Sequence, residues 1–172
     1  MSAMDLPRAG RTLLCRAALL VALAILGTTT QPHPALAESP FAGLSGNWRG
    51  SAQIKLASGS SETLKCQAYY TPKESGNELG IAIRCASASN KIELRAQITA
   101  AAGNVSGTWE ERTYNVAGDV TGQAVDGKLN LAINGGAFQG SMAVRTTGGS
   151  QTVNIKTEGV ALQAVNINLS RG

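Results

Sequence analysis

The chain has 172 residues, with 15 Lys or Arg against 11 Asp or Glu, a net charge of +4 and only 4% aromatic side chains. That length suits one domain with a substantial core. One histidine and three cysteines in the whole chain leave little material for histidine-activated nucleophiles or for zinc sites.

In chain order, residues 1–37 read as a leader. Arg8, Arg11 and Arg16 precede an apolar run from Ala17 to Leu26, Pro32 and Pro34 follow, and Ala35-Leu36-Ala37 provides an A-x-A site. These are the three parts of a secretory signal peptide. The run is too short to span a bilayer, which takes about 20 residues. Cleavage after Ala37 places the remainder in the periplasm or outside the cell. It removes Cys15 and the sole histidine, His33, and leaves 12 basic residues against 10 acidic ones. No Lys/Arg cluster then remains to suggest a nucleic-acid partner.

Residues 38–46, ESPFAGLSG, read as a linker ahead of a single domain at 47–172. Beyond it no helical period appears. Apolar and polar residues alternate between turns rich in Gly, Asn, Asp and Ser, the pattern of half-buried strands. The first arm, NWRGSAQIKL, puts Trp48, Ala52, Ile54 and Leu56 on one side. In LKCQAYYTPKESGNELGIAIRC, a hairpin centred between Ser75 and Gly76 sets Tyr70 against Ile81, Ala68 against Ile83 and Cys66 against Cys85. Directly opposed Cβ atoms lie about 4.5–5.5 Å apart, close to disulfide geometry. An exported chain is expected to oxidise such a pair. In the chain-entropy model a loop of this size gains roughly 3 kcal/mol from closure.

The same arithmetic continues. KIELRAQITAAAGNVSGTWEERTY turns at Ala102-Gly103, with Ala100 facing Val105 and Ala96 facing Trp109, and with Glu93 opposite Arg112 and Arg95 opposite Glu110 on the other face. VTGQAVDGKLNLAI turns at Asp126-Gly127, a type I′ signal, pairing Ala124 with Leu129 and Val120 with Ile133. LNLAINGGAFQGSM, turned at Gly135-Gly136, sets Ile133 against Phe138 and Leu129 against Met142. SMAVRTTGGSQTVNIKT, turned near Gly148-Gly149, sets Val144 against Val153, and the last arm aligns Val165, Ile167 and Leu169.

A one-residue slip would turn any of these strands inside out, yet every turn preserves one shared apolar face. The fold class is therefore all-β, an antiparallel up-and-down meander of about ten strands. Open edges favour closure into a small soluble barrel, with a flattened two-sheet sandwich as the alternative. An outer-membrane barrel inverts the faces and needs aromatic girdles, which 4% aromatic content cannot supply.

Chemistry is harder to find. No histidine and no free thiol remain after cleavage, no motif marks a buried lysine, and the acidic residues are too sparse for a calcium loop. The expectation is a protein without enzymatic activity, metal or cofactor. Glu110 reads as an outward partner of Arg95, whereas alternation places Glu111 on the inner face. Three readings stay open for Glu111: a β-bulge turns it outward, it sits near a barrel mouth, or it is a polar contact inside a ligand cavity. Trp48, Tyr70 and Trp109 are either core or the lining of a pocket. The inward small residues Gly50, Ala52, Ala68, Ala96, Gly107, Gly118, Gly122 and Gly140 serve either strand coiling or space for a guest. A ten-stranded barrel is wider than the eight-stranded size that side chains just fill.

The segments LSGNWRGSAQIKLASGSSETLKCQAYY, IAIRCASASNKIELRAQI and VSGTWEERTYNVAGDVTG resemble small exported proteins of Gram-negative bacteria, a group that implies no activity. With Gly46-x-Trp48 on the first strand, the meander also resembles the calycin barrels, the lipocalins, fatty-acid-binding proteins and avidins. Two functions follow as expectations. One is a monomeric binder of a small apolar or amphipathic ligand near Trp48, Tyr70, Trp109 and Glu111. The other is an interaction protein that uses residues 38–46, with Phe41 as apolar anchor, in the manner of secreted metalloprotease inhibitors; a structural role in the envelope is a third.

Overall fold

The computed structural model describes residues 39–125, 127–137 and 139–172. The expected leader and its cleavage point, Asp126 and Phe138 lie outside the described residues. Among the described residues a 3-10 turn, Ala42–Leu44, is followed by ten strands: β1 (Gly46–Leu56), β2 (Ser61–Pro72), β3 (Glu78–Ala86), β4 (Lys91–Ala101), β5 (Asn104–Glu111), β6 (Val116–Val125), β7 (Lys128–Asn134), β8 (Gln139–Thr147), β9 (Ser150–Glu158) and β10 (Leu162–Arg171).

Every strand pairs antiparallel with its sequence neighbours, and β1 also pairs with β10, so the meander is a closed barrel. The seam runs from Trp48 opposite Arg171 to Ile54 opposite Val165. Closure leaves no edge for another chain to extend, and it excludes the flattened sandwich. Alternation dictates the rest. Leu64, Cys66, Ala68 and Tyr70 of β2 are buried while their neighbours in sequence face solvent, and the same pattern recurs along the wall. The apolar face thus points into the barrel, and Gln53, Lys55 and Asn166 point out.

The hairpin registers fall as expected at β2–β3, β4–β5, β6–β7 and β8–β9. Cys66 and Cys85 are direct partners joined at an S–S distance of 2.02 Å. The β7–β8 register differs. Leu129 faces Val144, Leu131 faces Met142 and Ile133 faces Gly140, two residues from the expected pairs. β7 ends at Asn134 and β8 begins at Gln139, so the two glycines are not a complete turn; Gly136 is in the left-handed region at φ +73°. A slip of two keeps every side chain on its own face, so the core is unchanged.

The inward glycines resolve towards close packing. A Cβ built on Gly118 would lie 1.7 Å from the carbonyl oxygen of Asn134, and one on Gly50 would lie 1.9 Å from that of Asn168. Gly107, Gly122 and Gly140 approach a neighbouring strand in the same way. The room that a side chain would occupy is filled by the next strand's backbone, which lets the sheet bend there.

Candidate functional site: an open mouth opposite a sealed end

An up-and-down barrel gathers alternate connections at opposite ends. One end of this barrel holds the start of β1, the β2–β3, β4–β5, β6–β7 and β8–β9 turns, and the end of β10. That end is sealed. Phe41, Leu44, Trp48 and Leu79 are essentially inaccessible. The 3-10 turn places Phe41 and Leu44 in the core, and its carbonyls are claimed by side chains. Trp48 Nε1 donates to the Leu44 carbonyl at 2.8 Å, and the Arg171 guanidinium donates to those of Ser45 and Gly43 at 2.6 and 2.8 Å. Arg171 also lies 4.6 Å above the Trp48 ring, a cation–π contact. Ser39 Oγ donates to the carbonyl of Gly76.

Tyr70 stands edge-on to Trp48, with ring centroids 6.5 Å apart. Its hydroxyl donates to Gln151 Oε1 at 2.6 Å, and Gln151 Nε2 donates to Thr146 Oγ1 at 3.1 Å. Burial pushes the Tyr70 phenol well above its ordinary range, and the Gln151 hydrogen bond only partly opposes this. The phenol stays neutral, and the polar atoms of Trp48, Tyr70 and Gln151 are satisfied within the protein. Among the expected ligand contacts, Trp48 and Tyr70 therefore belong to the sealed end.

The opposite end holds the β1–β2, β3–β4, β5–β6, β7–β8 and β9–β10 connections. Here Leu56, Leu94, Val116, Met142, Ile155 and Leu162 face inward yet are only partly buried, with Ile92 beside them and Ile81 further down the wall. Two shallow pockets lie at this end. One, of about 320 Å³, sits against Glu111, Arg112, Asn115 and Val116 at the β5–β6 turn. The other, of about 280 Å³, lies on the outer face of β6 to β8 among Asp119, Thr121, Ala132, Asn134 and Gln139. Neither is lined by Trp48, Tyr70 or Trp109. Trp109 is buried on the β5 wall opposite Ala96 and Gly118, one inward position below Glu111.

Glu111 occupies the mouth, as one of its three readings has it. The β4–β5 ladder runs unbroken through Leu94 and Glu111, so no bulge turns it away. Its Oε1 accepts from the backbone N–H of Glu93 and its Oε2 from that of Tyr114, both at 2.7 Å. The carboxylate thus braces the β5–β6 turn. A second inward carboxylate escaped the sequence reading. Glu62 sits at the mouth end of β2 and accepts from Ser89 Oγ at 2.7 Å and from Asn90 Nδ2. Hydrogen bonds from Ser87, Ser89 and Asn90 hold its carboxyl below the usual range. The alternation Glu62-x-Leu64-x-Cys66 was the available signal for it.

On the outer wall the charges pair differently from expectation. Arg95 and Glu110 are opposite in register, but Glu110 instead meets Arg112, at 3.8 Å. Arg112 donates its backbone N–H to the Glu93 carbonyl, while the Glu93 carboxylate lies 3.4 Å from both Arg84 and Lys91. Partial burial pushes Glu93 up, but the Lys91 hydrogen bond and the charges of Arg84, Lys91 and Arg112 outweigh it, and the carboxyl titrates low.

The described part of the expected 38–46 linker, from Ser39, is a plug. Phe41, its proposed anchor for a partner, has 0% exposure. The segment is folded onto its own barrel from Ser39 onward, so it does not present an apolar anchor to another protein.

No protein family matches the chain, and no curated protein does. Solved structures do. The crystal structure of Rv2717c from M. tuberculosis superposes with a TM-score of 0.64 at 14% identity, covering 80% of this chain and 98% of that one. The S-type phycobiliprotein lyase CPES from Guillardia theta superposes with a TM-score of 0.53 at 13% identity, covering 77% of this chain and 90% of that one. At such identities the likeness is one of fold, and it agrees with a calycin-like barrel.

Proposed function

We propose that this protein is an exported, non-catalytic barrel that holds a small apolar or amphipathic molecule at its open mouth. One observation carries the reading: one end is sealed by aromatic side chains and a plug, while aliphatic side chains at the other end are only partly buried. Folding normally buries such groups fully, and leaving them at one rim sacrifices about 25 cal/mol for each Å² left wet. Concentrated exposed apolar surface of this kind marks a binding site.

The chemistry of the mouth narrows the guest. The inward carboxylates of Glu62 and Glu111 are already engaged with loop and backbone donors. The surface left for a guest is aliphatic, so the guest's apolar part enters and its polar part stays at the rim. Trp109 lies on the wall just below, where it would report occupancy. The non-catalytic reading rests on the inventory of the barrel, in which both cysteines are joined and no histidine occurs. Export rests on the leader at 1–37 together with the disulfide, and the inward apolar face supports a monomer outside the bilayer. One fold neighbour is described as a phycobiliprotein lyase, which supports a barrel of this kind handling another molecule but transfers no activity.

The test is Trp emission of the processed protein titrated with a fatty acid and with a hydrophobic dye. Emission should shift, and Trp109→Phe should abolish the shift while Trp48→Phe preserves it. A Leu94→Asp/Met142→Asp variant should lose binding and keep its disulfide. Silence across a broad panel of apolar ligands overturns the proposal.

A further inference from the structure

The outer wall divides by charge, independently of the mouth. On β1 and β7 to β10 the one acidic residue is Glu158, exposed at the mouth end of β9. Five exposed basic side chains stand there: Arg49, Lys55, Lys128, Arg145 and Lys156. Among the described residues the ion pairs all gather at β3 to β5 and the turn that follows, and none involves these five. Arg145 is even placed directly opposite Lys128 on neighbouring strands. Opposed like charges destabilise a sheet, and with five basic side chains against Glu158 alone this wall keeps a net positive charge.

Between the basic positions runs a row of amides. Gln53 faces Asn166, Asn166 faces Asn154, Asn154 faces Ala143 and Ala143 faces Asn130, so four of five consecutive strands present an amide at the same level. Asparagine is a poor strand residue, and strand formation does not explain the row. Each amide offers two N–H donors and a carbonyl acceptor, and the next lies about 4.8 Å away across the sheet, comparable with the length of a sugar ring. Such a row matches neighbouring hydroxyl groups, and the flanking Lys and Arg match carboxylates.

We propose that this wall is a docking face for an anionic polysaccharide, a flexible sugar chain bearing carboxylate groups, which follows the curve of β1 and β7 to β10. The face carries no aromatic side chain on which nucleic-acid bases would stack. It has no large apolar side chain to enter a bilayer. A hydroxyl-rich polyanion is the partner whose chemistry it complements.

The experiment uses the protein as the cell processes it, in affinity electrophoresis through polygalacturonate, through neutral dextran, and with single-stranded oligothymidylate as competitor. Polygalacturonate should retard migration in low salt, with retardation lost in high salt as charge pairing requires, and oligothymidylate should compete poorly. A Lys128→Gln/Arg145→Gln/Lys156→Gln variant should lose affinity by more than about tenfold, because several charge-assisted hydrogen bonds go together. Lys73→Gln/Lys91→Gln, outside the face, should bind normally. Asn154→Thr/Asn166→Thr, which keeps every charge, should weaken polygalacturonate without changing the salt dependence. Absence of low-salt retardation overturns the proposal. So does oligothymidylate binding equal to polygalacturonate and unmoved by the amide substitutions, which marks an unselective polyanion surface.

Discussion

The two ends of the barrel solve the same problem in opposite ways. At the sealed end, Trp48, Tyr70, Phe41 and Leu44 fill the lumen and every polar atom they bring finds an internal partner: Leu44 carbonyl for the indole, Gln151 for the phenol, Arg171 for the plug's carbonyls. At the mouth, the polar groups brace the turns, and the apolar groups are left without full cover. A barrel of ten strands has more lumen than its own wall side chains fill. This chain closes the excess at one end with its N-terminal segment and leaves aliphatic side chains at the other end only partly buried. Where aromatic volume goes decides which end does which.

The comparison can be broken by substitution. The largest difference should come from Trp48→Ala against Leu94→Ala. Emptying a buried Trp site costs about 3–5 kcal/mol, whereas a partly buried Leu loses only about 1–2 kcal/mol of burial. Denaturant midpoints measure both, and equal losses would mean the mouth is as tightly packed as the plug. Next is the clip between β2 and β3. Cys66→Ser/Cys85→Ser should lower stability by roughly 3 kcal/mol, and reduction of the native protein should give a matching shift in melting temperature.

Arg171→Ala should cost about 1–2 kcal/mol, from two lost hydrogen bonds and the contact with Trp48. Its signature is local: exchange of the Leu44 amide, which is bonded to the Phe41 carbonyl at 2.9 Å, should accelerate while amides of the mouth strands do not. The smallest effect is acid sensitivity of the β3–β4 turn. The Glu62 carboxyl is held low in the folded state, so its contribution is present above the unfolded value of about 4.3 and is lost as pH falls through the lowered folded value. Amide exchange at Ser89 and Asn90 should rise over that acid range, and Glu62→Gln should remove the pH dependence.

Particular elements show what was legible. The β6–β7 register followed from Asp126-Gly127, because that pair commits the backbone to a tight turn. The β7–β8 register did not follow from Asn134-Gly135-Gly136, because two glycines permit several turns of different length; the chain uses the longer one, and the error of two residues left the faces intact. Alternation assigned Glu111 to the inner face, but its partners, the N–H groups of Glu93 and Tyr114, depend on how the neighbouring turn is wound. Glu62 lies on the same inner face, but its partners Ser89 and Asn90 come from the β3–β4 turn, which alternation along β2 does not encode. Residues 38–46 carry no period at all, so nothing in them announced that Phe41 would be buried.

By itself the sequence determined the strand faces, the disulfide and the meander, since alternation and turn chemistry act between residues close in the chain. Which end is sealed, how the lumen is filled and which wall keeps its positive charge were decided by closure of β1 against β10. Closure brings Trp48 to Arg171 and lines up amides from strands more than a hundred positions apart, and burial and field at those places are sums over neighbours that no local pattern encodes.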